Sequence, residues 1–124
     1  MINPEFRDVE AERVVLESIL PDVQAFMRDV VRSHAALQAS CTLINSNERP
    51  KLQLDFLRPD KQPLSEMEKK TLHTFPSLLS TLRLFVELDW VIVPRLDNAY
   101  CYLFWAMTKG VVRKGPQLGP QKVY

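Results

Sequence analysis

Four side chains in this sequence could bind a metal ion or serve as a nucleophile and its base: Cys41, Cys101, His34 and His73. Two cysteines and two histidines are a common zinc ligand set, but such sites usually include a closely spaced pair. His34 and Cys41 would stand about 10 Å apart along one helix, which is too far to share a tetrahedral ion comfortably. The sequence contains no close cysteine pair. We therefore predict no metal site and no cofactor.

Catalytic motifs are also missing from the sequence. It has no Gly-x-Ser-x-Gly elbow and no glycine-rich loop that could hold a phosphate, since all three glycines lie within residues 110–124. A dyad of Cys101 with His73 stays open as an alternative, but a cysteine between two tyrosines is more often packed than reactive. We therefore predict a protein that is not an enzyme.

The composition bounds the class of protein. A chain of 124 residues with 46% hydrophobic and 25% charged residues is long enough for one domain with a core. A net charge of +1 produces no overall field toward nucleic acid or membrane. The charge-free runs are shorter than a membrane span, and residues 1–13 are too polar and acidic for a secretory signal. We expect a soluble intracellular protein, in the cytoplasm, the nucleus or an organelle matrix.

The first 44 residues carry an apolar stripe that predicts one long helix. Asn3-Pro4-Glu5 has the residues of a helix start, and we expect the helix to end near Asn45. Because the register of the stripe continues past Pro21, we expect a kink or a restart in phase. The stripe consists of Phe6, Val9, Arg13, Leu16, Leu20, Val23, Met27, Val30, His34, Leu37, Cys41 and Ile44. Its steps of three and four residues predict contact with a second helix.

His34 lies on this stripe, and two interpretations of it stay open. It could be a pH-sensitive or metal-binding histidine. The more ordinary interpretation is a half-buried histidine that bonds a neighbour and sets the register, as lone polar residues on a helical seam do.

The sequence from Lys51 onward predicts shorter elements. Residues 51–57 alternate between apolar and polar side chains, which predicts a strand, and Ser65 to Glu68 form a capping box that opens a helix ending near His73. A second helix is expected over residues 76–88. Residues 90–105 favour a β-hairpin that turns at Asp97-Asn98. The alternative is a helix over residues 99–107, which would have to be buried on every side.

Pairing the two arms about Asp97-Asn98 predicts which side chains share a face. One face would carry Trp90, Ile92, Leu96, Cys101, Leu103 and Trp105. The other, outer face would present Val91, Val93, Arg95, Tyr100, Tyr102 and Phe104. An exposed aromatic patch of that kind predicts a partner protein.

The order of long helix, strand, two helices and hairpin resembles that of winged helix-turn-helix domains over residues 22–106. The resemblance implies that residues 65–73 and 76–88 are the two-helix unit and that residues 90–105 are the wing. In DNA-binding members the second helix reads bases. Here that helix would offer Arg83 beside Glu87, and the wing Arg95 beside Asp97, which is little positive charge for phosphate contact. The resemblance therefore implies a member that binds other proteins.

These features predict an α+β but mostly helical fold, with a long kinked N-terminal helix and a winged-helix-like unit in residues 1–109. An extended basic arm of residues 110–124 would follow, and an all-α bundle is the alternative fold. The expected function is a non-catalytic interaction subunit of a larger assembly. Its alternatives are a dimeric DNA-binding regulator and, more weakly, a ribonucleoprotein component.

The expected partners are other protein subunits, in a homo- or hetero-oligomer, bound through the stripe of residues 6–44 and the hairpin face. Nucleic acid is a less favoured partner. The predicted interface residues are Tyr100, Tyr102, Phe104, Val91, Val93, Met27, His34, Leu37, Arg113, Lys114 and Tyr124.

Overall fold

The structure is a computed structural model, and it describes residues 8–46, 48–82, 84 and 86–107. The described residues form, in chain order, α1 (Val9–Val31), β1 (Gln38–Ile44), β2 (Lys51–Leu57), α2 (Glu66–His73), α3 (Phe75–Leu79), β3 (Leu88–Val93) and β4 (Ala99–Ala106). The predicted helix start at residues 3–5 and the predicted arm of residues 110–124 lie outside the described residues.

α1 is a continuous helix with one buried face. The Asp8 side chain caps it by accepting a 3.0 Å hydrogen bond from the backbone N–H of Ala11. Pro21 lies inside the helix at an exposed position, so the helix does not restart there, and buried apolar residues follow the helical spacing on both sides of it. The buried apolar residues of α1 are Leu16, Ile19, Val23 and Met27. They join the core against the sheet, so this part of the stripe packs within the chain.

The prediction that this helix continues to Asn45 is wrong. α1 ends at Val31, and the chain turns through residues 32–37. In this turn the N–H of His34 donates to the carbonyl of Val31, and the N–H of Leu37 to that of His34, both over 2.9 Å. Residues 38–44 form β1 instead, because their alternating polar and apolar side chains also fit the strand period and pairing with β2 holds them in it.

The four strands form one antiparallel sheet in the order β1-β2-β4-β3. β1 and β2 are a hairpin that pairs from Gln38 opposite Leu57 to Ile44 opposite Lys51. β4 lies on the other side of β2, with Tyr102 opposite Leu54. The strand predicted at residues 51–57 is therefore confirmed. It is a central strand, and β1 and β3 are the edges of the sheet.

β3 and β4 form the predicted hairpin, but the predicted faces are wrong. Trp90 lies opposite Phe104, whereas pairing about Asp97-Asn98 would have placed it opposite Trp105. A slip of one residue exchanges the two faces of a strand, because successive side chains alternate. Tyr102 and Phe104 are both 0% exposed and belong to the core, not to an outer surface.

The helices pack on the same face of the sheet as these aromatic residues. The Tyr102 hydroxyl donates to the Leu72 carbonyl of α2 over 2.6 Å. The Phe75 ring of α3 lies 5.1 Å from that of Phe56 on β2 and 5.7 Å from that of Phe26 on α1, between ring centroids. The core therefore lies between one face of the sheet and the three described helices. We call this face the core face, and the opposite one the second face.

The two short helices differ in how well their bounds were predicted. The capping box of α2 is confirmed, since the Glu68 N–H donates to Ser65 Oγ over 3.1 Å and the Ser65 N–H donates to the Glu68 carboxylate over 2.8 Å. The second helix does not reach residue 88, because α3 ends at Leu79. The hydroxyls of Ser80 and Thr81 donate to carbonyls three residues earlier, and such bonds compete with helix continuation.

The fold is α+β, with one long helix and a four-stranded antiparallel sheet. The expectations of a mostly helical fold and of an all-α bundle are therefore wrong. Residues 32–44 account for most of the difference, because they leave the helix and form an edge strand. Among the described residues, no helix is both long enough and apolar enough to cross a membrane.

Pro21→Ala should stabilise the protein. A proline inside a helix lacks the N–H donor and costs about 3 kcal/mol relative to alanine in a helix interior. The position is exposed, so an alanine meets no packed neighbour. We expect a higher urea midpoint with an unchanged circular dichroism spectrum. Asp22→Ala, at the next exposed position, is the control and should change the midpoint much less. A lower midpoint for Pro21→Ala would show that the helix depends on the proline.

Substitutions of Tyr102 test its place in the core. Tyr102→Phe keeps the ring and removes the hydrogen bond to Leu72, so we expect a loss of about 1 kcal/mol in the free energy of unfolding. Tyr102→Glu would bury an unpaired carboxylate and should abolish the cooperative thermal transition. If Tyr102→Glu melts like the wild type, Tyr102 does not lie on the core face.

Candidate functional site

The sheet separates the side chains that were considered for metal or nucleophilic chemistry. Cys41 belongs to the core, whereas Cys101 lies on the second face, because it alternates with Tyr102 along β4. His73 ends α2, which packs on the core face, and it does not meet Cys101. In the described part of the chain, no group of three or more His, Cys, Asp or Glu residues could hold a metal ion.

Both cysteines are free and buried. Burial raises the pKa of Cys41 to about 12, with a smaller contribution from the negative charge of Asp55. Burial also raises the pKa of Cys101 to about 11, assisted by a hydrogen bond and the charge of Asp55 and opposed by Arg95. The thiolate is the nucleophilic form of cysteine, so neither side chain is activated near neutral pH.

Cys101 is the centre of a polar cluster on the second face. Asp55 lies directly opposite it on β2, and Gln53 Nε2 donates to Asp55 Oδ2 over 2.8 Å. Arg95 Nη2 donates to Cys101 Sγ over 3.5 Å. These hydrogen bonds join side chains of the loop after β3, of β2 and of β4 to one another within the fold.

A cleft of about 310 Å³ lies where the β3–β4 loop meets the start of α2. The Leu64 N–H donates to the Asp97 carbonyl over 3.0 Å, which holds the two loops together. The ammonium of Lys69 pairs with Glu66 over 3.0 Å, so its charge is already engaged. The lining is otherwise mainly apolar: Pro63, Leu64, Ile92, Val93, Pro94, Leu96, Ala99 and Tyr100, with Arg95 and Asp97.

The outer edge of β1 is the more informative feature, because its backbone groups can be assigned. In an antiparallel pair, each residue turns its N–H and C=O to the same side, and successive residues alternate. The Cys41 carbonyl accepts a 3.1 Å hydrogen bond from Gln24 Nε2 of α1, so it faces away from β2. Ala39, Cys41 and Leu43 therefore turn their backbone groups outward.

The pairing of the other strands supports this assignment. The backbone N–H of Arg58 donates to the Asn98 carbonyl over 2.9 Å, just past the end of the β2–β4 ladder. The backbone N–H of Met107 donates to the Glu87 carbonyl over 2.9 Å, just past the end of the β3–β4 ladder. Following the alternation from these bonds across β4 and β2 again leaves Ala39, Cys41 and Leu43 facing outward. Of their six backbone groups, only the Cys41 carbonyl has a hydrogen-bond partner within the described part of the chain.

The opposite edge of the sheet is protected. By the same alternation the N–H of Trp90 faces outward, and it donates to the Asp89 carboxylate over 2.9 Å. Pro94 directly follows β3. Charged side chains and prolines are common protection against strand addition at an edge. β1, with the sequence QASCTLI, has neither, so it is the more accessible template for an added strand.

A groove of about 250 Å³ runs beside this edge. It is lined by Gln24, Met27 and Arg28 of α1 and by Ala39, Ser40 and Cys41 of β1. Gln24 and Arg28 stand one helical turn apart, so they lie on the same side of α1. Arg28 is exposed and makes no ion pair with any described residue, whereas Arg32 pairs with Asp29 over 2.7 Å.

The structure distributes the predicted interface residues over different places. Met27, Leu37, Tyr102 and Phe104 are buried in the core, although Met27 also borders the groove. Val91 is buried on the second face, and Val93 and Tyr100 line the cleft. His34 Nε2 lies 3.1 Å from Thr71 Oγ1, in agreement with the interpretation as a histidine that bonds a neighbour. Arg113, Lys114 and Tyr124 lie outside the described residues.

Sequence reasoning missed the β1 edge and its neighbours Gln24 and Arg28. A signal was present, since the two seven-residue runs 38–44 and 51–57 flank the turn-forming sequence NSNERP. That arrangement is typical of a hairpin. The long apolar stripe concealed it, because Leu37, Cys41 and Ile44 also fit the helical period.

The raised thiol pKa values should make stability depend on pH above 9. The ordinary cysteine pKa is 9.0, whereas the folded thiols keep their protons to about 11 and about 12. The contribution of the buried thiols is therefore fully present below pH 9.0 and is lost as the pH rises toward the folded values. Urea unfolding at about pH 8 and about pH 10.5 should show a smaller loss in a Cys41→Ala, Cys101→Ala variant than in the wild type. Equal losses would contradict the burial of the thiols.

Scans against family models, curated proteins and solved structures found no match to this chain. The resemblance to winged helix-turn-helix domains stays a prediction from the sequence, and no function is drawn from it.

Proposed function

We propose that the protein is a non-catalytic protein–protein interaction subunit whose β1 edge accepts an extended segment of a partner as an added strand. The observation that carries the proposal is the outer side of β1, where the backbone groups other than the Cys41 carbonyl have no partner among the described residues. Ala39, Cys41 and Leu43 present backbone donors and acceptors at the spacing of a strand, and an extended backbone is the natural complement of such a row.

The energetics of an open edge support this proposal. A backbone hydrogen bond contributes about 0.5–1.5 kcal/mol net, so the ladder along β1 alone would bind weakly and without sequence preference. The groove beside it supplies a place where alternate side chains of the added strand can pack. Together the ladder and the groove provide both affinity and selectivity.

The composition of β1 points in the same direction. A seven-residue edge strand without charge or proline is a template for uncontrolled pairing between chains. Natural proteins rarely leave such an edge open, and in this chain the other edge is protected. A regular partner strand at β1 would remove the hazard.

The non-catalytic part of the proposal is supported by the two thiols. Their raised pKa values keep them protonated near neutral pH, and the sheet holds Cys101 away from His73. The polar cluster around Cys101 uses its hydrogen bonds within the fold.

Ala39→Pro tests the role of the edge, because proline removes one outward N–H without affecting the pairing with β2. The probe is a random library of twelve-residue peptides displayed on phage, selected on the wild-type protein. We expect enriched peptides to bind Ala39→Pro at least about tenfold more weakly. Ala39→Ser keeps the N–H and is the matched control, which should bind like the wild type. Thermal unfolding of both variants verifies that they remain folded.

Amide hydrogen exchange locates the bound peptide. In the free protein the amides of Ser40 and Thr42, which pair with β2, should exchange slowly, and those of Ala39, Cys41 and Leu43 rapidly. Peptide binding should slow the second group. Enriched peptides that bind without slowing these three amides, and equally well to Ala39→Pro, would refute strand addition at β1.

A further inference from the structure

We propose that the segment added to β1 carries an acidic side chain facing Arg28, and that it is a lone extended segment of another protein, not the β1 strand of a second copy. This inference rests on the proposed function and specifies the chemistry of the partner. Arg28 and Gln24 are the polar side chains of α1 that line the groove beside the edge.

The spacing between Gln24 and Arg28 along α1 is close to the spacing between alternate residues of an added strand. The turn of residues 32–37 reverses the chain between α1 and β1, so α1 runs back along the edge. One helical turn advances about 5.4 Å, and two strand residues advance about 6.6 Å. Successive groove-side residues of an added strand would therefore meet Gln24, beside Cys41, and then Arg28.

The charges around Arg28 select a carboxylate at the second of these positions. Arg28 makes no ion pair with a described residue, and the acidic side chain next to it, Asp29, is engaged by Arg32. β1 itself is uncharged. A guanidinium–carboxylate hydrogen bond is about twice as strong as a neutral one. An acidic residue would therefore bind here in preference to a neutral or basic one.

The position of α1 argues against a second copy. α1 packs chiefly over β1, and its Gln24 reaches the outward carbonyl of Cys41. Two β1 strands paired edge to edge would lie about 4.8 Å apart. Each would carry its own α1 above it, whereas packed helices need about 8–10 Å between their axes. A segment without a helix over its edge meets no such obstacle.

The test uses peptides enriched from the same random twelve-residue library. We expect them to alternate along their length and to carry Asp or Glu at one fixed groove-side position. Calorimetric titration should show binding to Arg28→Glu weakened at least about tenfold. Lys70→Glu is the control charge reversal, because Lys70 is an exposed cation of α2 that does not line the groove. It should change the affinity by no more than about twofold. Replacing the acidic residue of the peptide by Lys should restore binding to Arg28→Glu.

The outcomes separate this inference from the proposed function. Peptides that slow exchange at Ala39, Cys41 and Leu43 but bind Arg28→Glu and Lys70→Glu alike would overturn the acidic preference and leave strand addition standing. A dimer in sedimentation experiments without peptide, dissociated by Ala39→Pro, would overturn the lone-segment inference and assign the edge to a second copy. Failure to enrich any peptide that Ala39→Pro weakens would overturn the proposed function itself.

Discussion

The contacts of Tyr102 are the constraint on which the rest of this structure depends. Its ring lies on the core face, opposite Leu54 of β2 and Ile92 of β3, with its centroid 6.2 Å from that of Phe75. Its hydroxyl binds the carbonyl of Leu72. These contacts join three strands to α2 and α3, and they decide which face of β4 is inside. Pairing then transmits the choice to every other strand of the sheet.

The outward edge of β1 is a consequence of this arrangement. The contacts of Tyr102 decide which face of the sheet is the core face. α1 covers this face along β1, because the buried stripe of α1 packs against the apolar side chains of the β1–β2 hairpin. The helix covers one side of β1, and its Gln24 binds the Cys41 carbonyl, whereas the other outward backbone groups of Ala39, Cys41 and Leu43 have no partner among the described residues. The uneven treatment of the two edges, with Asp89 at β3 and no charge at β1, is what supports a protein-binding function.

Local signals explain which elements and site residues were predictable. The capping box at Ser65 and the alternating residues of β2 are each complete within a few positions, and both were predicted. The β3–β4 hairpin was also predicted, but not its register. Of the groove residues, Met27 was named as an interface residue, whereas Gln24 and Arg28 were not, because their role depends on a strand that the helical stripe concealed. No pattern within α1 indicates that a sheet edge lies beside it.

The sequence alone determined where the chain can start a helix, turn back or alternate, because those properties depend on neighbouring residues and on backbone hydrogen bonds made locally. Only the tertiary structure decided that residues 38–44 are a strand, that Trp90 pairs with Phe104, and that β1 is an edge. The alternative hairpins differ by one residue of register, and the alternatives for residues 38–44 are the helical and the strand period. In both cases the local energies of the alternatives are close. The burial of Tyr102 and Phe104 against the helices separates them, because it requires residues far apart in the chain to come together.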